Sequence, residues 1–410
     1  MNGASDFTLV NIIGGSGALT KINTNVLTLV ANNTYGGATT INGGTLALSS
    51  SGTLGNSTSL LTISSGTLDI QNGALTIGSL VMNGTNPAIT NSTGTSSLTV
   101  SGTSTLANSV ATTGSQTYSG AVTLNADTTI TTSNHEVIFA STVDSGASGS
   151  YALSVNTGSG LSTYSGNAQT NTGSSAYFND NVGSTKAIKS LTVTSNIVCL
   201  CGSSDPFSIT TNLNQNYNGD VIAGKYAGEV DLSSANGSIV FSSTLNDRSM
   251  TSNTLNIYAL NGSVTFGDAI GTTNSLVSTT GPLRTLYVQA QTINLPAVVN
   301  TAKSQNYVGS IVLSANTTLS TNKILDTDGI TIINDNDTSA DITLGGTVNG
   351  AYALTLNTIG TTTLSNTIGN SAALTSITTD SGGTIAINGG SRSEEHTSEL
   401  QSHSFISYAV

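Results

Sequence analysis

The chain has 410 residues, of which 45 are Gly and only 7% are charged, and its formal net charge is −12. Thr, Ser, Asn and Gly predominate, which favours short strands and tight turns and argues against long helices. The acidic balance without a basic cluster excludes nucleic acid as a partner, and the mean hydropathy of +0.09 is too high for a disordered chain.

The N-terminal residues lack the features of an export signal. Residues 1–6 contain no basic side chain, and no apolar segment follows them. No stretch approaches the roughly 18 apolar residues of a membrane-spanning helix. We therefore expect either a cytosolic protein or a natural N-terminus that lies upstream of Met1, and the C-terminal residues favour the second alternative.

Short segments with alternating apolar residues recur along the chain. Gly-Thr-Leu-Ala-Leu at 44–48 returns as Gly-Thr-Leu-Asp-Ile at 66–70, an offset of 22 residues. Gly-Ser-Ile-Val-Phe at 237–241 returns as Gly-Ser-Val-Thr-Phe at 262–266, an offset of 25 residues. Alternation is typical of a half-buried strand, and an offset of this size indicates one coil of a parallel β-helix.

These repeats predict an all-β fold, a right-handed parallel β-helix (β-solenoid) that forms an elongated rod. Each strand is too short to bury a face alone, so neighbouring coils are expected to stack about 4.8 Å apart around one apolar interior. About 390 residues at about 22 residues per coil predict roughly 17 coils.

A longer repeat overlies the short one. The pattern Gln-x-Tyr-x-Gly occurs around Tyr118, Tyr217 and Tyr307, with spacings of 99 and 90 residues. We interpret each spacing as about four coils. The three tyrosines are therefore predicted to be packing or stacking residues at equivalent coils, and a role as ligand contacts is the less favoured alternative.

The segment 14–46 resembles the autotransporter-associated β-strand repeat. It carries Leu-Thr-Lys at 19–21, Leu-Thr-Leu at 27–29, and Asn-Thr-Tyr-Gly-Gly-Ala-Thr-Thr at 33–40 followed by Ile-Asn-Gly-Gly-Thr-Leu at 41–46. It departs from the family at Asn23 and Asn25, where Gly is usual, and in lacking a Thr between Tyr35 and Gly36. Residues 111–391 resemble the haemagglutinin-like repeats of large bacterial exoproteins.

The two resemblances imply autotransporter-type repeats over 1–110 and haemagglutinin-like repeats over 111–391 in the same solenoid. They imply an extracellular or cell-surface protein associated with the outer membrane. The translocator would be a barrel domain of the same protein or a separate transporter. The implied role is that of an adhesin or a structural stalk whose ligand is unknown, without a cofactor or catalysis.

The last nineteen residues, 392–410, differ in composition from the rest. Three of the five Glu in the chain (Glu394, Glu395 and Glu399) and two of the three His (His396 and His403) fall here. Residues 392–402 look like the translation of a common short-read sequencing adapter, codon for codon. We therefore expect 392–410 to be a non-native tail and the natural gene to continue beyond Ser391.

Cys199 and Cys201 are separated by one residue. They are predicted to be a pair of small buried side chains or a local disulfide. A metal site is less favoured, because no other His or Cys lies near them in the sequence.

The densest acidic stretch contains Asp326, Asp328, Asp335, Asp337 and Asp341. Alternate Asp residues before a Gly can wrap Ca²⁺, but no Glu stands at a closing position. Turn and solvent-facing positions are the expected role of these residues, and calcium binding is an open alternative.

A polysaccharide-binding or polysaccharide-cleaving β-helix is the second functional hypothesis. Cleavage needs carboxylates that converge with Arg or Lys on one face. Only Arg248 and Arg284 precede the C-terminal tail, and the lysines are scattered. His135, the only His before that tail, is expected at a surface or turn position. The sequence therefore predicts no catalytic residues.

Overall fold

The computed structural model describes residues 5–49, 51–160, 173–202, 204–224, 228–248, 253–272, 280–321, 340–380 and 382–389, together with the backbone of 323–325 and 332–334. Within these ranges all regular structure is β-strand, and parallel strands wind into a β-solenoid of about 15 turns. The predicted all-β parallel solenoid is thus confirmed. None of the described residues belongs to a helix that is long and apolar enough to span a membrane.

The chain divides into two compact units. The first comprises the described residues up to 204 together with 208–212, and the second comprises 205–207 and the described residues from 213 onward. The strands up to residue 211 are β1 (Phe7–Leu9), β2 (Leu19–Lys21), β3 (Val26–Leu29), β4 (Thr39–Ile41), β5 (Thr45–Leu48), β6 (Leu60–Ile70), β7 (Gly73–Ile77), β8 (Ser79–Thr90), β9 (Ser96–Val100), β10 (Ser104–Ala111), β11 (Gln116–Tyr118), β12 (Val122–Thr131), β13 (Val137–Phe139), β14 (Val143–Ser145), β15 (Leu153–Asn156), β16 (Ser175–Phe178), β17 (Leu191–Leu200) and β18 (Phe207–Thr211).

The strands that follow all belong to the second unit. They are β19 (Gln215–Ala223), β20 (Glu229–Ser234), β21 (Ile239–Phe241), β22 (Leu245–Asp247), β23 (Thr254–Phe266), β24 (Thr285–Leu295), β25 (Val298–Asn300), β26 (Gln305–Leu313), β27 (Thr317–Ser320), β28 (Lys323–Leu325), β29 (Ile332–Asn334), β30 (Ile342–Leu344), β31 (Val348–Asn349), β32 (Ala353–Asn357), β33 (Thr361–Leu364), β34 (Ser376–Thr379) and β35 (Thr384–Ile387). Strands β28 and β29 pair antiparallel.

Columns of aliphatic side chains, one per coil, form the interior of the first unit. Successive strands pair in parallel register, so that one buried residue lies directly above the next. One column contains Leu46, Leu68, Ile89, Val110, Ile130, Val155 and Val193, all fully buried. Burial of each such side chain stabilises the fold by about 1.5–3 kcal/mol. A single short strand cannot bury its apolar face, so this stabilisation depends on the stacking of neighbouring coils.

The second unit has its own interior column. It contains Leu232, Ile257, Val288, Tyr307, Leu344, Leu364 and Ile387. All of them are buried except Ile387 in the final strand, which is 36% exposed. Residues between the column positions face outward, because successive side chains of a strand point to opposite sides.

The sequence offsets correspond to single coils, as predicted. Thr45 pairs with Thr67, and Ile239 pairs with Val264, in agreement with the offsets of 22 and 25. Other coils are longer: Val155 pairs with Val193, and Tyr307 pairs with Leu344. The greater length of these coils explains why the chain forms about 15 turns where roughly 17 were expected.

The glycine that begins the Gly-Thr-Leu repeat is required by backbone packing. Gly44 and Gly66 have φ of +64° and +95°, in the left-handed region that favours glycine. A Cβ on Gly66 would lie 2.4 Å from the carbonyl oxygen of Gly44 in the coil below. The repeat therefore keeps Gly where one coil crosses closely over the previous one.

Candidate functional site

The three tyrosines of the long repeat are interior packing residues. Tyr118, Tyr217 and Tyr307 are all fully buried. The Tyr118 ring stacks on Phe139 with a centroid distance of 5.4 Å, and the Tyr217 ring stacks on Phe241 at 5.2 Å. Burial raises the pKa of each phenol. The packing role predicted for them is confirmed.

Each buried hydroxyl is satisfied by the glutamine two residues earlier. The hydroxyls donate to Oε1 of Gln116, Gln215 and Gln305 at 2.8, 2.8 and 2.9 Å. The repeat therefore keeps Gln and Tyr together because each amide satisfies a phenol inside the apolar interior.

The amide groups of Gln116 and Gln305 bind equivalent acceptors in their respective units. Nε2 of Gln116 donates to Val110 O, Thr112 Oγ1 and Thr131 O. Nε2 of Gln305 donates to acceptors at the same sequence offsets, namely Val299 O, Thr301 Oγ1 and Ser320 O. The role of the threonine four residues before the glutamine was not predicted from the sequence. Its signal was present, since a Thr precedes all three glutamines by four residues, at 112, 211 and 301.

The prediction that the three tyrosines of the long repeat lie at equivalent coils is wrong for the pair Tyr217 and Tyr307. Tyr217 pairs with Phe241, which pairs with Phe266. Tyr307 pairs with Val288, which pairs with Ile257. Since Ile257 and Phe266 are nine residues apart within β23, Tyr217 and Tyr307 lie in different columns. The variable coil length makes 90 residues differ from a whole number of turns.

Cys199 and Cys201 form a disulfide and are buried, in agreement with the predicted buried pair or local disulfide. They pack with Tyr177 and the partly buried Ile138. Because the bond links residues two apart, it does not connect distant coils.

The acidic stretch is described only in part. Asp326, Asp328, Asp335 and Asp337 lie outside the described residues. The Asp341 carboxylate accepts a bond of 2.6 Å from the backbone N–H of Thr361 in the next coil. No group of three or more His, Cys, Asp and Glu able to hold a metal occurs among the residues that the structure describes. Calcium binding by this stretch stays a prediction.

His135 lies in an exposed turn after β12. Its Nδ1 is 2.8 Å from the carbonyl oxygen of Ser133. The surface position predicted for this residue is confirmed.

The outward side of four strands in the second unit carries an aromatic and acidic surface. We call it the tyrosine face, and it comprises Glu229 and Asp231 of β20, Asn256 and Tyr258 of β23, Tyr287 and Gln289 of β24, and Asn306 of β26. The register places Asp231, Asn256, Tyr287 and Asn306 in one outward column, with Tyr258 and Gln289 in the next. This face is our candidate site.

Two partly exposed rings lie at the centre of the tyrosine face. The Tyr258 and Tyr287 centroids are 5.7 Å apart and the rings are tilted by 45°. Tyr287 donates to Oε1 of Gln289 at 3.3 Å. Burial raises the pKa of Tyr258, and the negative charges of Asp231 and Glu229 act in the same direction.

Asn256 connects the two carboxylates at one end of the tyrosine face. Its Nδ2 donates to Oδ1 of Asp231 at 2.9 Å and also to Oε1 of Glu229. At the other end, Asn306 Oδ1 is buried without a hydrogen-bond partner among the described residues.

The tyrosine face was not predicted from the sequence. The signal was Thr-Leu-Asn-Ile-Tyr at 254–258 and Thr-Leu-Tyr-Val-Gln at 285–289, which begin alike. Their offset of 31 residues differs from the 22 and 25 of the recognised repeats.

In the first unit, a buried lysine organises the turn after β2. Lys21 Nζ donates to the carbonyl oxygens of Ile22, Asn23 and Gly43 at 2.7, 2.9 and 3.0 Å. Burial lowers the pKa of Lys21, although Asp6 opposes this shift. Asn23 has a φ of +64°, so this departure from Gly is tolerated because Asn adopts left-handed backbone more readily than most residues.

Comparison with known proteins places this turn inside a recognised repeat. Residues 19–48 match the family model of the passenger-associated-transport-repeat. The solenoid fold fits an autotransporter passenger repeat of this kind, in agreement with the predicted resemblance. No curated protein and no solved structure matches the chain.

Proposed function

We propose that this chain, which carries a passenger-associated-transport-repeat, is a secreted or surface-displayed segment of a bacterial autotransporter or exoprotein. It serves as an adhesin or a structural stalk and performs no catalysis. The observation that carries the proposal is the match of residues 19–48 to a repeat of transported passengers, within a solenoid of successive coils. The match implies an autotransporter passenger domain and a structural role.

The local character of the fold supports passage across a membrane in an extended state. Each coil pairs with the coils next to it, so a solenoid can grow one coil at a time as the chain emerges. The disulfide joins residues only two positions apart, so it needs no distant partner. The proposed partner is an outer-membrane translocator, either a barrel of the same protein or a separate transporter.

We further propose that autotransporter-type repeats occupy 1–110 and haemagglutinin-like repeats occupy 111–391. Each Gln-Tyr pair of the long repeat lies beyond residue 110. Residues 392–410, which lie outside the described residues, are proposed to be a non-native tail. Resequencing the locus tests this division: an uninterrupted natural reading frame through 392–410 would contradict the proposed tail.

Surface display is the experiment that tests the function. The full chain is fused between a signal peptide and a translocator barrel in a Gram-negative host, with a barrel-less fusion as control. The expected result is a chain on intact cells that external protease removes only when the barrel is present. A chain that accumulates in the periplasm with the barrel present would contradict the passenger role. If cells that display the chain adhere more than cells that carry the barrel alone, the chain is an adhesin. If the two adhere equally, the chain is a stalk.

A polysaccharide-binding or polysaccharide-cleaving protein is the second candidate. The observation that favours it is the tyrosine face, where aromatic rings, amides and carboxylates share one surface. Incubation of the full chain with pectin, alginate and neutral polymers distinguishes cleavage from binding. The appearance of new reducing ends would contradict the non-catalytic role.

A further inference from the structure

The side chains of the tyrosine face are not needed to fill the interior. On the same strands, the buried column Leu232, Ile257 and Val288 already packs the inside of the coil. Tyr258 and Tyr287 point the opposite way and stay partly exposed. Two large aromatic residues side by side on the outside of a chain with 5% aromatic residues therefore require another explanation.

The tyrosine face presents more acceptors than donors. Each carboxylate of Glu229 and Asp231 receives one side-chain bond, from Asn256, and keeps its second oxygen for a ligand. Because a carboxylate oxygen only accepts hydrogen bonds, a ligand that donates hydrogen bonds to this face is favoured.

The charge of the tyrosine face restricts the ligand further. Within the described part of the chain, the one ion pair joins Lys189 and Asp127, and Glu229 and Asp231 form none there. Anionic polymers are therefore repelled, as they are by the net charge of −12. The carboxylates lie only on β20, whereas β24 and β26 contribute the neutral Tyr287, Gln289 and Asn306. This distribution favours an uncharged ligand. A basic peptide would contact only the carboxylates at one end of the tyrosine face.

We propose that the tyrosine face binds a neutral glycan. Sugar rings present apolar C–H groups that contact the faces of Tyr258 and Tyr287, where the electron density of the rings is concentrated. Their hydroxyls donate to the second carboxylate oxygens of Glu229 and Asp231. The proposal rests on the surface role proposed above, for which it supplies the adhesive surface and the class of ligand.

The test measures binding of the full chain to an array of neutral, sialylated and sulfated glycans. The neutral glycan that binds most tightly is then titrated by calorimetry into the parent chain and into each variant. We expect binding to neutral glycans only, and a loss on the order of tenfold or more in Tyr258→Ala/Tyr287→Ala. The matched control is Tyr352→Ala, which removes a 39% exposed tyrosine of the same unit and should bind like the parent chain.

Conservative variants separate ring contacts from folding. Tyr258→Phe/Tyr287→Phe keeps the rings and should retain most of the affinity, while circular dichroism confirms that every variant is folded. Failure to bind any neutral glycan, or parental affinity in the double alanine variant, would overturn the proposal. Binding to hexalysine alone, abolished by Asp231→Asn, would replace the glycan with a basic partner. The protease assay on intact cells does not depend on glycan binding. A failure of the glycan proposal is therefore distinguishable from a failure of the passenger role.

Discussion

The Tyr307 hydroxyl donates a 2.9 Å hydrogen bond to Oε1 of Gln305, and both residues are completely buried. The glutamine in turn binds the side chain of Thr301 and two carbonyl oxygens. The same arrangement recurs around Gln116 in the first unit. It fixes the loop between the strands as a corner of the coil, because the buried phenol and the buried amide both have hydrogen-bond partners.

Removal of the phenol hydroxyl tests this corner. Tyr307→Phe leaves Gln305 Oε1 buried without a donor, and we expect a loss of about 1–3 kcal/mol in the free energy of unfolding. The midpoint of urea unfolding measures it. The control Tyr352→Phe removes a hydroxyl from a partly exposed tyrosine and should change stability by less than about 0.5 kcal/mol. Equal effects of the two substitutions would show that the bond does not stabilise the coil.

Stability should fall steeply in alkaline solution. Burial raises the pKa of Tyr118, Tyr217 and Tyr307 in the folded chain, whereas the unfolded phenols ionise near the ordinary value of about 10. Above that pH, unfolding releases protons from these phenols. Their contribution to the free energy of unfolding is therefore fully present below about pH 10 and falls as the pH rises further. Each buried phenol contributes a slope of up to about 1.4 kcal/mol per pH unit. Thermal unfolding between pH 8 and 11.5 measures the slope, and Tyr217→Phe should reduce it.

Substitution of one glycine tests the close approach of coils. Gly66→Ala places a Cβ 2.4 Å from the Gly44 carbonyl oxygen at a φ of +95°, and we expect a loss of more than about 1 kcal/mol in unfolding free energy. Gly17→Ala is the matched control, since nothing lies within 4 Å of its added Cβ. Thermal melting compares the two variants. If the Gly66→Ala chain is as stable as the control, the two coils do not approach closely enough at this position to require glycine.

Loss of the lysine ammonium should loosen the turn after β2. Lys21→Met keeps the length of the side chain but leaves the Ile22, Asn23 and Gly43 carbonyl oxygens without their donor. We expect a local loss of about 1–3 kcal/mol, detected as faster hydrogen exchange across 19–48. Lys189→Met removes an exposed ion pair with Asp127 and should cost no more than about 1 kcal/mol. Unchanged exchange in the Lys21 variant would contradict the role assigned to the ammonium.

The buried disulfide should resist reagents until the chain unfolds. Cys199 and Cys201 are 0% and 1% exposed, so a thiol reductant followed by a maleimide should label neither in the native protein. Both should be labelled in urea. Mass spectrometry of the labelled chain gives the answer, and rapid native labelling would show that this part of the solenoid opens easily.

Much of the fold was predictable because its determinants are local. Alternation of apolar residues identified the strands, and the 22-residue repeat of Gly-Thr-Leu placed Thr45 beside Thr67. The packing role of Tyr118, Tyr217 and Tyr307 was also predicted, from the recurrence of Gln-x-Tyr-x-Gly. The number of turns was overestimated, because coils such as the one from Val155 to Val193 are longer than the 22-residue repeat.

The candidate site was not predictable in the same way. Tyr258 and Tyr287 are separated by 29 positions, and their proximity depends on the length of the coil between them. The same effect placed Tyr217 and Tyr307 in different columns despite their shared motif.

By itself the sequence determined that the chain is a parallel β-solenoid with a passenger-type repeat, since alternation and glycine spacing act between neighbouring residues and adjacent coils. The tertiary structure alone decided which outward side chains meet, as Asn256 does with Asp231 and Tyr258 with Tyr287. The physical reason is that strand register follows from hydrogen bonding between whole coils. Each loop length shifts that register, so only the stacked coils define the outer surface.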